Sequence, residues 1–175
     1  MNAFHEDGEY AFYRNILDEP DFPFTTVLDA LKHTLNKYFA ITNVEEELRL
    51  DDAFCIHYNT CQHDTTGKKH MDPSDITVNF CLKRSDDLLG SHVLFFGQRQ
   101  LAGVQSEESS SVDCSHNFKY LVAQEAGFAT VHYGDHWHQT MELTRGHRTN
   151  IVLTYCFRDP SKSEASRTCY ATDAT

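Results

Sequence analysis

Positive charge is scarce in this sequence. Fifteen Lys and Arg residues stand against 26 Asp and Glu, and the formal net charge is -11. An acidic chain repels the phosphates of nucleic acids and the headgroups of anionic lipids, because nonspecific binding to both depends on neutralising their charge. We therefore expect no nucleic acid partner.

Long apolar stretches and paired cysteines are also missing. No uncharged run approaches the roughly 18 apolar residues that a membrane helix needs, so we expect no membrane partner. The opening residues, MNAFHEDGEYAFYRN, have neither the apolar run of a secretory signal nor the Arg-rich character of a transit peptide. The six cysteines form no CxxC pair and are better interpreted as reduced thiols than as a disulfide framework. Together these features predict a soluble protein of the cytoplasm or nucleus.

The length and the hydrophobic content predict one folded domain. The chain has 175 residues, of which 40% are hydrophobic, enough to bury a core. We assign residues 1–158 to this domain, with a helical lead-in over 1–52 and a core over 53–158, and we expect 159–175 to be a disordered tail because of its composition. Within the lead-in, TTVLDALKHTLNKYFAI has helical spacing behind a possible capping box of Thr26 and Asp29.

From Ala53 onward the pattern changes to short runs rich in β-branched and aromatic residues. There are six of these runs: AFCIHY, DITVNFCL, SHVLFFG, NFKYLV, GFATVHY and TNIVLTYCF. Their short spacing favours antiparallel strands in a sandwich or barrel over alternating βαβ units. The polar segment QSEESSSVDCSHN is interpreted as a mobile loop.

Two groups of side chains of the kinds that bind metals lie within this strand-rich region. His70 and Asp72 are two residues apart next to a predicted strand, so both side chains project to the same side. Downstream, three histidines crowd into seven residues: His132, His136 and His138. Two imidazoles and one carboxylate on one face of a metal form the facial triad of non-haem Fe(II) oxygenases.

Only one of the three downstream histidines is needed as the third ligand. We choose His138, partly because Arg148 follows at a distance that suits the next strand. There its guanidinium could bind a dicarboxylate's far end in a bidentate pair. His132 and His136 are interpreted as neighbours of the site or surface residues rather than as ligands.

The order of these motifs resembles the 2-oxoglutarate and Fe(II)-dependent oxygenases, in the branch with the prolyl 4-hydroxylase and lysyl hydroxylase catalytic domains. That pattern is HxD, TxN in a hydrophobic strand, a Gly-small strand, HxGxxxH and GxR. The resemblance covers about residues 53 to 158. The matching stretches are His70-Met71-Asp72, Thr77-Val78-Asn79, Gly90-Ser91, His132 to His138 and Gly146-His147-Arg148. The chain departs from the pattern at Gly90-Ser91-His92, where relatives often have Gly-Gly.

The resemblance implies a mainly β fold with a flanking helix, the double-stranded β-helix, a jelly-roll barrel like that of the cupins. It implies that His70, Asp72 and His138 hold Fe(II) and that Arg148 binds the distal carboxylate of 2-oxoglutarate. Further cosubstrate-binding positions implied by the resemblance are Tyr58, Thr77 and Asn79. The cofactors implied are Fe(II), 2-oxoglutarate and O2, with ascorbate as a further candidate.

The resulting hypothesis is a dioxygenase that hydroxylates a C–H bond, on a protein prolyl or lysyl side chain by analogy with the nearest relatives. Small-molecule hydroxylation is the alternative substrate class. Two other classes stay open: a cupin-type metal-binding barrel without redox chemistry, and a barrel that has lost catalysis and serves as a binding module. We expect substrate selectivity to reside in the loops over residues 59–69 and 98–117.

Overall fold

Antiparallel β-strands make up most of the protein. The computed structural model describes residues 12–97 and 119–167. The strands are β1 (Phe12–Asn15), β2 (Leu48–Asn59), β3 (Gly67–His70), β4 (Ile76–Arg84), β5 (Leu89–Gly90), β6 (Val93–Phe96), β7 (Lys119–Val122), β8 (Ala129–Tyr133), β9 (His138–Thr140), β10 (Leu143–Arg145) and β11 (His147–Phe157). The helices are α1 (Phe24–Phe39), α2 (Val44–Glu47) and α3 (Pro160–Arg167).

The larger sheet has the strand order β1-β2-β11-β4-β8 and is built on the long strands β2 and β11. β11 pairs with β2 on one side and with β4 on the other, antiparallel in both cases. The run IVLTY in β11 is buried throughout, as is usual for a central strand rich in β-branched and aromatic residues. The β2–β11 register sets Arg148 directly opposite Tyr58.

The smaller sheet has the order β3-β9-β6-β7, and β5 and β10 form a separate two-stranded ribbon. In the smaller sheet His138 of β9 lies opposite His70 of β3 on one side and opposite Phe95 of β6 on the other. The short β3–β9 and β6–β9 ladders therefore bring two of the predicted ligands and an aromatic ring together.

Each of the six predicted runs forms all or part of a strand, and the mainly antiparallel β fold is confirmed. β2 begins at Leu48 rather than at Ala53, so the barrel core starts inside the predicted lead-in. Five strands were not predicted, because they have only two to four residues and no β-branched run: β1, β3, β5, β9 and β10.

Helix α1 packs its apolar side against the larger sheet. Leu35 is fully buried in the same cluster as Ile76 and Leu153, and Val27, Leu28 and Leu31 pack against it. The predicted capping box is wrong: the helix begins at Phe24 with Pro23 at the cap position and no side-chain cap hydrogen bond. Asp29 instead forms an ion pair with Lys32 one turn further along.

The chain after β11 forms a helix in the segment that was predicted to be a disordered tail. Pro160–Arg167 forms α3, so that expectation is wrong for these eight residues. The Asp75 carboxylate accepts hydrogen bonds from the backbone N–H of Phe157 and from the Ser163 hydroxyl, which ties the start of α3 to the sheet. Residues 168–175 and the predicted loop over 105–117 lie outside the described residues.

The described cysteines, Cys55, Cys61, Cys81 and Cys156, are all free thiols. Among the described residues, no helix has the length and apolar character needed to cross a membrane.

Candidate metal and cosubstrate site

His70, Asp72 and His138 converge at one end of the smaller sheet. One ligand atom from each of the three side chains lies within 4.8 Å of the others. His70 Nε2 is 3.5 Å and His138 Nε2 is 3.7 Å from the same carboxylate oxygen, Asp72 Oδ1. Two imidazole nitrogens and a carboxylate oxygen are the donor set of a facial triad, and it suits Fe(II).

Backbone carbonyls fix which nitrogen of each ligand histidine is available. The Nδ1 of His70 lies 2.6 Å from the carbonyl oxygen of Lys68, and the Nδ1 of His138 lies 2.8 Å from that of His136. A carbonyl can only accept, so each Nδ1 carries a proton and donates, which leaves the Nε2 lone pair free in the neutral ring. Such hydrogen bonds orient the histidine ligands of metal sites.

The Asp72 carboxylate is held on its other oxygen. The Thr77 hydroxyl, at the start of β4, donates a 2.6 Å hydrogen bond to Asp72 Oδ2. Burial alone would raise the pKa of Asp72, but the nearby rings of His70 and His138 and the hydrogen bond from Thr77 outweigh burial, and the net pKa is lowered. Asp72 is thus kept ionised, as a metal ligand must be.

His132 lies behind this group rather than within it. Its Nε2 is 3.9 Å from Asp72 Oδ2, the oxygen that Thr77 binds, and its side chain is 7% exposed. Burial lowers the pKa of His132 to about 4, so the ring is neutral at pH 7. Its Nδ1 lies 2.9 Å from the carbonyl oxygen of Tyr133. His136 has its Nε2 3.3 Å from the carbonyl oxygen of Gly97. Both positions agree with the interpretation of these two histidines as neighbours of the site.

Phe95 is the aromatic residue around which the histidines are arranged. Its buried ring lies 5.0, 5.1 and 5.5 Å from the rings of His132, His136 and His138, measured between ring centroids. A buried aromatic at this place limits water around the imidazoles and restricts their rotation. The sequence pattern does not reveal this role, because Phe95 looks like any apolar residue of a strand.

Gly134 allows the Asp72 segment to approach β8. The backbone N–H of Asp72 donates to the Gly134 carbonyl at 2.8 Å, and the Gly134 N–H donates to the Asp75 carbonyl at 3.0 Å. A Cβ at position 134 would meet the Ser74 carbonyl oxygen at 2.1 Å, far inside contact distance. Only glycine permits this approach, so the Gly of the HxG pattern has a steric role in placing Asp72.

Arg148 is buried in a second polar group next to the metal site. It is 1% exposed, its Nε donates to the Ser91 hydroxyl at 2.5 Å, and its guanidinium lies 4.8 Å from the centroid of the Tyr58 ring. Its terminal nitrogen Nη1 is buried and has no hydrogen-bond partner among the described residues. Burial lowers the pKa of Arg148, but from so high a value that the guanidinium remains charged. A buried cation with a free donor fits a carboxylate ligand.

Tyr58 connects the Arg148 group with the metal site. Burial is the main cause of its raised pKa, and the Thr140 side chain is within hydrogen-bonding reach of its hydroxyl. Thr140 is two residues beyond His138 on β9, so both side chains point to the same face, about 7 Å apart along the strand. Tyr58 of the larger sheet therefore reaches the strand of the smaller sheet that carries His138.

The two remaining positions predicted to bind the cosubstrate, Thr77 and Asn79, form hydrogen bonds with other side chains of the protein. Thr77 binds Asp72, as described above, and Asn79 Oδ1 accepts a 2.5 Å hydrogen bond from the Asn150 side chain. The same Asn150 amide nitrogen also donates to Gln124 Oε1 at 2.7 Å. The sequence pattern does not single out Asn150 and Gln124, because one is a polar residue within a strand and the other is part of a loop.

Comparison with known proteins gives relatives of one kind, although no family model matches the chain. It is 28% identical over 145 residues to the 2-oxoglutarate and iron-dependent oxygenase domain-containing protein CP2 of Arabidopsis thaliana. The match covers 81% of this chain and 34% of that protein, so the chain spans about a third of its relative's length.

Solved structures share the fold at low sequence identity. A 2OG-Fe(II) oxygenase family oxidoreductase from Burkholderia pseudomallei has a TM-score of 0.56 at 16% identity, over 83% of this chain and 66% of that one. A prolyl-4-hydroxylase from Pseudomonas putida has a TM-score of 0.53 at 14% identity, over 88% and 76%. These comparisons confirm the predicted resemblance and the double-stranded β-helix fold.

Proposed function

Because this chain resembles the 2-oxoglutarate and iron-dependent oxygenases in sequence and shares their fold, we propose that it is an Fe(II)- and 2-oxoglutarate-dependent dioxygenase that hydroxylates a C–H bond. The observation that carries the proposal is the pairing of two sites within one barrel. One is the three-donor cluster of His70, Asp72 and His138, and the other is a buried Arg148 with an unused donor. Tyr58 contacts the Arg148 guanidinium and also reaches Thr140, on the strand of His138.

In this proposal His70, Asp72 and His138 hold the metal. Their Nε2 atoms and the Asp72 Oδ1 atom already face one another, and the partners on the opposite atoms are backbone carbonyls and the Thr77 hydroxyl. Three protein donors leave the remaining coordination positions for cosubstrates. Fe(II), when bound with 2-oxoglutarate and O2, supplies the oxidising chemistry that converts a C–H bond into C–OH while 2-oxoglutarate becomes succinate and CO2.

Arg148 supplies the anchor for the distal carboxylate of 2-oxoglutarate. Its charge is buried, so the contact is made where water does not compete, and Tyr58 limits the guanidinium to one plane. A hydrogen bond between charged groups in such a place is worth about 1.5–3 kcal/mol. A cupin-type barrel that only binds metal has no use for this residue, which is why Arg148 favours the oxygenase over that alternative.

For the substrate we propose a protein prolyl or lysyl side chain, following the branch that the motifs resemble. The support is the motif order from His70 to Arg148. A small-molecule substrate is the alternative outcome of the test. Peptides with central Pro or Lys and a panel of metabolites would be incubated with the loaded enzyme. The assay follows succinate formation and the mass gain of one oxygen atom in the substrate.

The primary experiment is an anaerobic titration of the purified protein with Fe(II) and 2-oxoglutarate, which follows the visible metal-to-ligand charge-transfer band. We expect a band in the wild type, no band in His138→Ala, and an unchanged band in His33→Ala, which removes an exposed histidine of α1. Arg148→Ala should raise the required 2-oxoglutarate concentration by about tenfold or more, the loss expected for one charge-assisted contact.

Three results would contradict the proposal or one of its assignments. Tight metal binding without any band in the wild type would favour the cupin-type barrel. Absence of metal binding in the wild type would favour a binding module. An unchanged 2-oxoglutarate requirement in Arg148→Ala would show that another residue anchors the cosubstrate.

A further inference from the structure

Ser91 is the one residue of the described chain that hydrogen-bonds the Arg148 side chain. Its hydroxyl lies 2.5 Å from Arg148 Nε, and the residue is 0% exposed. It stands between β5 and β6, 57 positions before Arg148 in the sequence. Within the described residues, a single buried hydroxyl therefore holds the Arg148 side chain by a hydrogen bond.

The backbone at Ser91 is held in an unfavourable conformation. Ser91 has a φ of 57°, in the left-handed region that costs a non-glycine residue roughly 1–2 kcal/mol, and it follows Gly90 with a φ of 83°. The Ser91 N–H donates to the Glu142 carbonyl at 2.9 Å, which holds the turn against β10. Strained residues of this kind persist where the surroundings fix them, and they concentrate at functional sites.

Two contacts hold the Arg148 guanidinium, and one of its terminal nitrogens has no partner among the described residues. Ser91 occupies the Nε donor, the Tyr58 ring covers one face at 4.8 Å, and Nη1 is left without a partner among the described residues. A guanidinium is a rigid plane, so a hydrogen bond at Nε fixes the directions of its terminal nitrogens. The donor that Ser91 leaves free is the one available to a carboxylate.

We propose that Ser91 is a positioning residue for 2-oxoglutarate: its hydroxyl fixes the rotation of the Arg148 guanidinium so that the terminal nitrogens, and not Nε, face the distal carboxylate. This inference rests on the proposed function. It implies that Ser91 contributes to binding only through Arg148, and only for ligands that have a distal carboxylate.

The test measures ligand binding rather than turnover. Fe(II)-loaded wild type, Ser91→Ala and Ser91→Gly are titrated anaerobically with 2-oxoglutarate, and in parallel with 2-oxobutyrate. The latter presents the same oxo acid to the metal but has no distal carboxylate. Thr144→Val serves as the control, since it removes an exposed hydroxyl that braces the same β5–β10 ribbon through the Leu89 carbonyl.

We expect both Ser91 variants to raise the Kd of 2-oxoglutarate by about tenfold, since a charge-assisted hydrogen bond is lost while the carboxylate contact itself remains. The Kd of 2-oxobutyrate and the Kd of Fe(II) should stay at the wild-type values. Alanine and glycine should act alike because both lack the hydroxyl, although glycine also relieves the left-handed backbone.

The other outcomes overturn the inference, and they can be told apart. If the wild type shows no charge-transfer band with 2-oxoglutarate, the proposed function fails and the role of Ser91 fails with it. If the band forms and Ser91→Ala binds 2-oxoglutarate as the wild type does, only the positioning role is wrong. A loss of 2-oxobutyrate or Fe(II) binding in both variants, or a normal Kd in Ser91→Gly alone, would identify a structural role instead.

Discussion

Thr77 offers a direct test of how the protein tunes the metal site without changing a ligand. Thr77→Val removes the hydroxyl that donates the 2.6 Å hydrogen bond to Asp72 Oδ2 and keeps the branched shape. Thr77 is 2% exposed and the Asp72 side chain is 14% exposed, so water cannot replace the lost donor freely. A hydrogen bond to a charged group under these conditions is worth about 1.5–3 kcal/mol.

The expected effect on the metal follows from this magnitude. Groups that hold a ligand from behind typically change metal affinity by about 10- to 100-fold when they are removed. We expect Thr77→Val to raise the Kd of Fe(II) within that range, and the pKa of Asp72 to rise because one of the interactions that lower it is gone. The loss should therefore grow as the pH falls toward the pKa of Asp72.

The measurement is anaerobic Fe(II) competition against a chelator of known affinity at two pH values. Thr154→Val is a matched control, since Thr154 is Thr77's cross-strand partner on β11 and is also buried. Its hydroxyl makes only a 3.4 Å contact to the Asp52 carbonyl. If the Fe(II) affinity of Thr77→Val stays within about threefold of the control at both pH values, the Thr77 hydrogen bond does not tune the ligand and the reasoning is refuted.

Two further predictions concern the stability of the metal-free protein. Burial lowers the pKa of His132 to about 4, against 6.5 in the unfolded chain. Protonation therefore favours the unfolded chain, so the free energy of unfolding is highest above pH 6.5 and falls by up to about 3 kcal/mol as the pH falls toward 4. Urea unfolding at pH 7.5 and pH 4.5 should show a smaller pH dependence in His132→Gln, and an equal slope would contradict the assignment. Gly134→Ala should unfold at least about 2 kcal/mol more easily, because its Cβ would meet the Ser74 carbonyl oxygen at 2.1 Å. Gly127→Ala, which has open space and only a positive φ of 86°, should lose about 1 kcal/mol, and equal losses would mean that the close approach at Gly134 is not important.

The sequence was most informative where residue types that bind metals follow the two-residue period of a strand. The two-residue spacing of His70 and Asp72, and the β-branched runs around them, predicted a cluster and a β fold, and the structure brings the three donors within 4.8 Å. Their assignment as metal ligands stays a prediction, as do the cosubstrate roles of Arg148 and Tyr58. The sequence alone could point to these His, Asp, Arg and Tyr residues because few side-chain types can bind a metal or a carboxylate.

The remaining parts of the site depend on contacts between distant segments. Ser91 and Arg148 are 57 positions apart, and Asn150 and Asn79 are 71 apart, so no local pattern links them. Predictions from local propensity were also wrong at the start of α1 and over α3. Asp29 formed an ion pair with Lys32 instead of a cap, and α3 formed in a polar segment because its first turn docks on Asp75. In each case tertiary contacts overrode a weak local preference.

One consequence concerns how long the protein would keep its metal. His70 ends β3, a four-residue strand at the edge of the smaller sheet, with a register irregularity in its ladder to β9 and a side chain that is half exposed. The side chains of His138 and Asp72, in contrast, are only 10% and 14% exposed. Edge segments with few contacts open locally at a small cost in free energy, while the rest of the barrel stays folded. The residence time of iron would then be set by fraying of one strand, and replenishment of the metal would not require unfolding of the domain.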